Sequence, residues 1–76
     1  MHIHFLDTVV LEKNLPMHGL RRGDIGAVVE VYEPDGVEVE FVTGAGKTQA
    51  LVTLAVDEVR LIGDSDILAA RSLEAA

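Results

Sequence analysis

One stretch constrains this chain more than any other: residues 21–41, RRGDIGAVVEVYEPDGVEVEF. It holds a turn signal, an apolar run, a second turn signal and a strict alternation. In Glu33–Gly36 proline presets φ and Asp-Gly supplies the turn chemistry, so the stretch predicts one β-hairpin. After the turn, Val37, Val39 and Phe41 share one face while Glu38 and Glu40 share the other, the period of a half-buried strand. Before it, Ile25–Glu33 is a strand whose apolar run (Ile25, Ala27, Val28, Val29, Val31) is too dense for burial on one side only. Either both faces are covered or a bulge shifts the phase. Gly26, inside that run, points to a bulge or a close backbone approach.

Strands are expected on either side of this hairpin. Asp7–Leu11 (DTVVL) is short and β-branched. Thr48–Leu54 follows a glycine-rich turn at Thr43–Lys47. A single 3₁₀ turn at Ala55–Glu58 then leads into a short strand at Val59–Ile62. Turn signals recur every eight to twelve residues or so, which favours a small barrel or sandwich over a helical fold. Glu12–Asp24 is a long connection containing Pro16, Gly19 and Gly23; loops of this length usually have a purpose. Leu15, Met17 and Leu20 are expected to fold it onto the edge of the core. The lead-in before Asp7 reads as a solvated N-terminal strand. After Gly63 the character changes. Asp64-Ser65-Asp66 can cap a helix, and Ile67–Ala76 is rich in Ala and Leu, but so short a helix is marginal alone. The choice is between a docked helix and a tail that orders on contact, with a lean towards the tail.

Seventy-six residues make one domain, and a chain of this size buries only about 60% of its unfolded surface. It contains no cysteine, so disulfides and thiolate metal sites are excluded and stability must come from packing or self-association. Thirteen acidic residues against six basic ones give a net charge of −7. That balance repels phosphate backbones and anionic membrane surfaces and favours basic partners. The apolar fraction of 49% is high for so small and acidic a domain. It implies an exposed apolar patch, the usual mark of an interface, unless Ala and Val in the tail and loops inflate the figure. No run approaches the roughly 20 apolar residues of a membrane span. The start, MHIHFLD, has no secretory pattern. A soluble cytoplasmic protein is expected.

The order of motifs resembles a known family. The pattern runs from Asp7-Thr8-Val9-Val10-Leu11 through Leu15-Pro16, His18-Gly19-Leu20 and the segment Arg22–Tyr32. It continues through Val39-Glu40-Phe41-Val42, Gln49–Leu54 and Val59-Arg60. Over about residues 5–62 it resembles the small bacterial family catalogued as domain of unknown function 4926. Gly23-Asp24-Ile25-Gly26-Ala27-Val28-Val29 is also similar to the hairpin of KOW-type and other SH3-like barrels. Both resemblances imply an all-β, five-stranded, strongly bent SH3-like barrel over residues 1–62, with a short tail or helix over 63–76. Neither brings catalytic or ligand residues. By analogy alone, such a protein is expected to act as an accessory or antitoxin-like partner of a neighbouring gene product.

Several motifs tempt and are discounted. Gly44-Ala45-Gly46-Lys47-Thr48 ends like a phosphate-binding loop, but Phe41 stands where the motif needs its first glycine and a strand follows where it needs a helix. Arg22-Gly23-Asp24 reads as the turn entering the second strand. His2 and His4 share a strand face, but a metal site needs further ligands, so no metal or other cofactor is expected. Glu38 and Glu40 are spaced about 7 Å apart along their strand. A solvated face accounts for them better than an acid–base pair, and a filled small barrel offers no pocket.

The expectation is therefore a non-enzymatic interaction module that binds a protein partner or itself. The resemblance to SH3-like barrels, whose long first loop commonly flanks the binding groove, implies contacts from Met17, His18, Leu20, Arg21 and Arg22, and Tyr32 is expected to join them; a structural reading would instead make Leu20 core and the arginines solvated. The alternative is a KOW-like RNA- or ribosome-binding module using Arg21, Arg22, Lys47 and Arg60 with Tyr32 for stacking. The glutamates crowding the hairpin count against it.

Overall fold

Five strands form one antiparallel sheet in a computed structural model that describes residues 2–73. They are β1 (Thr8–Leu11), β2 (Ile25–Tyr32), β3 (Gly36–Val42), β4 (Thr48–Ala55) and β5 (Val59–Leu61). Their order across the sheet is β4-β3-β2-β1-β5. The five strands expected between Asp7 and Ile62 are all present, within a residue or two at their ends. The turn before β3 enters through a cis Glu33–Pro34 bond. A 3₁₀ turn, Val56–Glu58, carries the chain from β4 at one edge to β5 at the other. Val9 and Leu11 of β1, Val28 of β2, Val37, Val39 and Phe41 of β3, Val52 and Leu54 of β4, and Val59 of β5 enter one buried cluster. A sheet that sends side chains from all five strands to one core must curl. The class is all-β, consistent with an SH3-like barrel, although no ladder joins β4 to β5 among the described residues.

Two irregularities set the curl. Val28 pairs with Val39 and Glu30 with Glu38, so Val29 is an extra residue on β2. The bulge resolves the overdense apolar run: Gly26 and Val28 are buried before it, and Glu30 and Tyr32 are exposed after it. Gly26 is not the bulge. It is the close approach, since a Cβ there would lie 2.5 Å from Val39 Cγ1 and 3.0 Å from the Glu40 carbonyl oxygen. On the far side of β3, Phe41 pairs with Ala50 but Val42 pairs with Thr48, leaving Gln49 as the extra residue of β4.

One terminal expectation changes, and at the other end the choice between tail and helix falls to the tail. The lead-in is not a solvated strand. Ile3 is buried in the core, and His4–Asp7 is a turn in which the Asp7 carboxylate accepts the His4 N–H at 2.8 Å. Leu6 takes φ 73° there, and its N–H donates to the Val28 carbonyl at 2.7 Å. The segment after Gly63 is not helical through Leu73. The Asp66 carboxylate, which could have capped a helix, instead takes the Gly63 N–H at 2.6 Å and both terminal nitrogens of Arg60 at 2.8 and 2.9 Å. Held so, it turns the chain back along the body. The last three residues of the 63–76 tail lie outside the described residues.

Candidate functional site

The tail returns to the mouth of the sheet where the long loop, the start of β2 and the β3–β4 turn meet. The loop is shaped first. Pro16–His18 forms a 3₁₀ turn ended by Gly19 in the left-handed region at φ 68°, where only glycine sits without strain. Leu15 and Leu20 exchange backbone hydrogen bonds of 3.0 and 3.1 Å across it. The next turn, Arg21–Asp24, closes when the Asp24 side chain accepts the Arg21 N–H at 2.8 Å. The Leu11 N–H donates to the Asp24 carbonyl, and the Gly23 N–H to the Leu11 carbonyl, each at 2.8 Å. The Asp24 carboxylate is thereby fixed on the rigid end of the β1–β2 pair. Gln49, displaced by its bulge, spans from β4 to the loop and donates to the His18 carbonyl at 3.1 Å.

Between these walls runs a groove of about 570 Å³, lined by Leu20, Asp24, Phe41 and Gln49 on the body and by residues 69–73 of the tail. A second hollow of about 490 Å³ lies beside it, and Leu20, Gln49, Arg71 and Leu73 line both. The tail thus divides one continuous depression. Arg71 holds it there. Its Nε donates to Asp24 Oδ1 at 2.8 Å and one terminal nitrogen to Asp24 Oδ2 at 2.6 Å. The same nitrogen donates to the Gly19 carbonyl at 2.9 Å. The guanidinium beside Asp24 holds that carboxyl below its ordinary value, against a smaller opposing effect of burial.

The expected contact residues separate. Met17 is 95% exposed on the 3₁₀ turn, and Arg21 and Arg22 are exposed beside it. His18 contributes its carbonyl. Leu20 is only 4% exposed and is core, the floor of the groove rather than a free contact. Tyr32 does not join them. It lies seven residues along β2 from Ile25, roughly 20 Å away by strand rise, with its hydroxyl donating to Glu38 at 2.9 Å. Asp24, Gln49 and Arg71 were not singled out by sequence reasoning. Of the six basic residues, Lys13 pairs with Glu58, Arg60 with Asp66 and Glu12, and Arg71 with Asp24. Among the described residues no group of three His, Asp or Glu side chains is placed to hold a metal ion, and no helix is long and apolar enough to cross a membrane.

A family model described as domain of unknown function (DUF4926) matches residues 5–61. The chain belongs to this family. No curated protein and no solved structure matches the chain. In this DUF4926 domain the matched segment supplies Gly19, Asp24 and Gln49, while Arg71 comes from the tail beyond it.

Proposed function

We propose that this DUF4926 domain is a non-enzymatic interaction module that receives an extended, basic segment of a protein partner in the groove between the long loop and the β3–β4 turn. One observation carries the reading: the groove already holds a guanidinium, by two carboxylate oxygens and a backbone carbonyl on a rigid frame. Paired N–H···O bonds of this kind are both directional and strong for a surface contact. The net charge of −7 adds long-range attraction for a basic segment. Acid–base chemistry fits the groove poorly. A general base works best with a pKa near the working pH, and Asp24 is driven the other way.

The test is a tagged pull-down from native extract, with and without nuclease, using the wild-type chain and Asp24→Asn. Asparagine can still accept the Arg21 N–H, so the turn survives while the charge is lost. The expected result is one protein recovered in stoichiometric amount, resistant to nuclease and lost with Asp24→Asn. Recovery of RNA or ribosomal material that nuclease removes would overturn the proposal in favour of the KOW-like alternative. Capture indifferent to Asp24→Asn would place the partner elsewhere on the surface and reject the groove.

A further inference from the structure

The groove is occupied by the chain itself, and the manner of occupation is informative. Residues 69–73 lie in the depression without forming a helix or a strand of the sheet. Arg71 supplies three hydrogen bonds to the body. Leu73 lines both hollows on either side of it. Arg71 and Leu73, two residues apart, both line the depression on the two sides of the tail and form a two-point contact. The residues leading into it bury little: Ile67 is 90% exposed and Leu68 72%. The Arg71 ion pair lies at the surface, and Leu73 keeps 44% of its area exposed. A segment outside helix and strand, entered by exposed residues and held in part by a surface ion pair, is open to exchange.

We propose that residues 69–73 are a displaceable self-ligand, and that the groove's partner is an extended protein segment of the same pattern, an arginine followed two residues later by an apolar side chain. This rests on the reading of the groove as a protein-binding site. The recognition is specific to arginine, because the carboxylate oxygens of Asp24 are met by Nε and a terminal nitrogen of one planar fork, which the single ammonium of a lysine cannot reproduce. The tether gives the tail an effective concentration on the order of millimolar. A partner must outcompete it, and its apparent affinity falls in proportion to the fraction of chains whose groove is open. The tail thus sets a threshold: a segment with Arg and Leu contacts alone displaces it only at concentrations above that of the tether, while one that also engages Gln49 or the exposed Met17 turn does so at lower ones.

The experiment is fluorescence polarisation with a labelled peptide of the sequence of residues 67–73, titrated with full-length wild-type chain, Arg71→Ala, and Arg71→Ala combined with Asp24→Asn. Arg71→Ala should bind about tenfold or more tightly than wild type, the scale of a lost charge-assisted contact. The double variant should lose that binding, and so should Arg71→Ala when the peptide carries lysine in place of arginine. Equal, measurable binding by wild type and Arg71→Ala would overturn the self-ligand and leave the groove reading standing. Equal binding of the arginine and lysine peptides would overturn the paired recognition. No binding by any folded variant would overturn both the inference and the proposed function. Should Arg71→Ala fail to fold, the wild-type chain still decides. Saturating peptide must move the amide resonances of residues 69–73 to random-coil positions, and if they stay in place while Gln49 and Asp24 shift, the self-ligand is rejected.

Discussion

Arg71 reaches back across 47 residues of sequence to grip Asp24 by both carboxylate oxygens, at 2.8 and 2.6 Å. Asp24 is held in place by its own turn, so the grip joins a segment outside helix and strand to the end of the β1–β2 pair. A second carboxylate, Asp66, fixes the base of the same tail through Arg60 and the Gly63 N–H. Two acids, both outside the buried apolar cluster, thus help to set the path of the tail.

Acid should therefore release the tail while the sheet persists. Arg71 holds the Asp24 carboxyl below its ordinary 3.8. Asp66, bonded to Arg60, is lowered to about 2. For groups depressed in the folded state, the stabilisation is complete above the unfolded pKa and is lost as pH falls through the folded one. Amide shifts of residues 66–73 should hold steady from neutral pH down to about 4, then move towards random-coil values, with the Asp66 turn persisting to about pH 2. A transition already complete by about pH 5 would mean that these two carboxylates do not hold the tail.

Gly26→Ala tests the close approach of β2 to β3. The added Cβ would meet Val39 Cγ1 at 2.5 Å and the Glu40 carbonyl at 3.0 Å, and the latter is backbone and cannot turn aside. Overpacking of this kind costs about 1–3 kcal/mol. In a domain this small, each kcal/mol lowers Tm by about 4–8 °C. Gly44→Ala is the control, because nothing lies within 4 Å of a Cβ there. Thermal melts should separate the two variants clearly. A Gly26→Ala melt that overlays wild type would show that the strands do not approach so closely.

The sheet was legible because its signals are local. Alternation at Val37–Phe41, β-branching at Thr8–Leu11 and glycine turns each act within a few residues, and those preferences survive folding. The overdense run of β2 announced an irregularity but not its place. Gly26 had two readings, and the structure divides them, giving the close approach to Gly26 and the bulge to Val29. The site was less legible. Arg71 and Asp24 carry no mutual signal across 47 residues. Gln49 enters the groove only because a register shift on β4 displaces it. The composition of Ile67–Ala76 permits a helix, but Asp66 is taken up by Arg60 and the Gly63 N–H instead of capping one. Tyr32 and the loop were grouped by residue type, and the length of β2 keeps them apart.

Leu20 and Met17 sit three residues apart in the same loop and should respond oppositely to truncation. Leu20 is core at 4% exposure, and Leu20→Ala should destabilise by about 2–5 kcal/mol. Met17 is 95% exposed, and Met17→Ser should change stability by no more than about 0.5 kcal/mol. Urea unfolding followed by circular dichroism gives both values. Equal costs for the two would mean that the loop does not pack through Leu20.

The outer face of the hairpin offers a single-residue readout, because Tyr32 is the only tyrosine of the chain. Its hydroxyl donates to Glu38 Oε1 at 2.9 Å, and the same oxygen accepts from Thr53 at 3.0 Å. Glu30 lies directly across the ladder from Glu38, an arrangement of like charges that sheets disfavour. The hydrogen bond to Glu38 raises the phenol above its ordinary 10.0, helped by partial desolvation and by the fields of Glu38 and Glu30. Alkaline titration of tyrosinate absorbance should therefore show a midpoint above 10.0. Glu38→Gln should bring it down towards that value by removing both the charged acceptor and its field. Glu30→Gln should lower it less, since Glu30 acts through its field alone. It should also stabilise the hairpin by a few tenths of a kcal/mol, roughly the cost of one facing pair of like charges. If Glu38→Gln leaves the midpoint where it was, the phenol is not bound to that carboxylate in solution. Tyr32 would then be a free aromatic on an acidic face, open to contact with a partner.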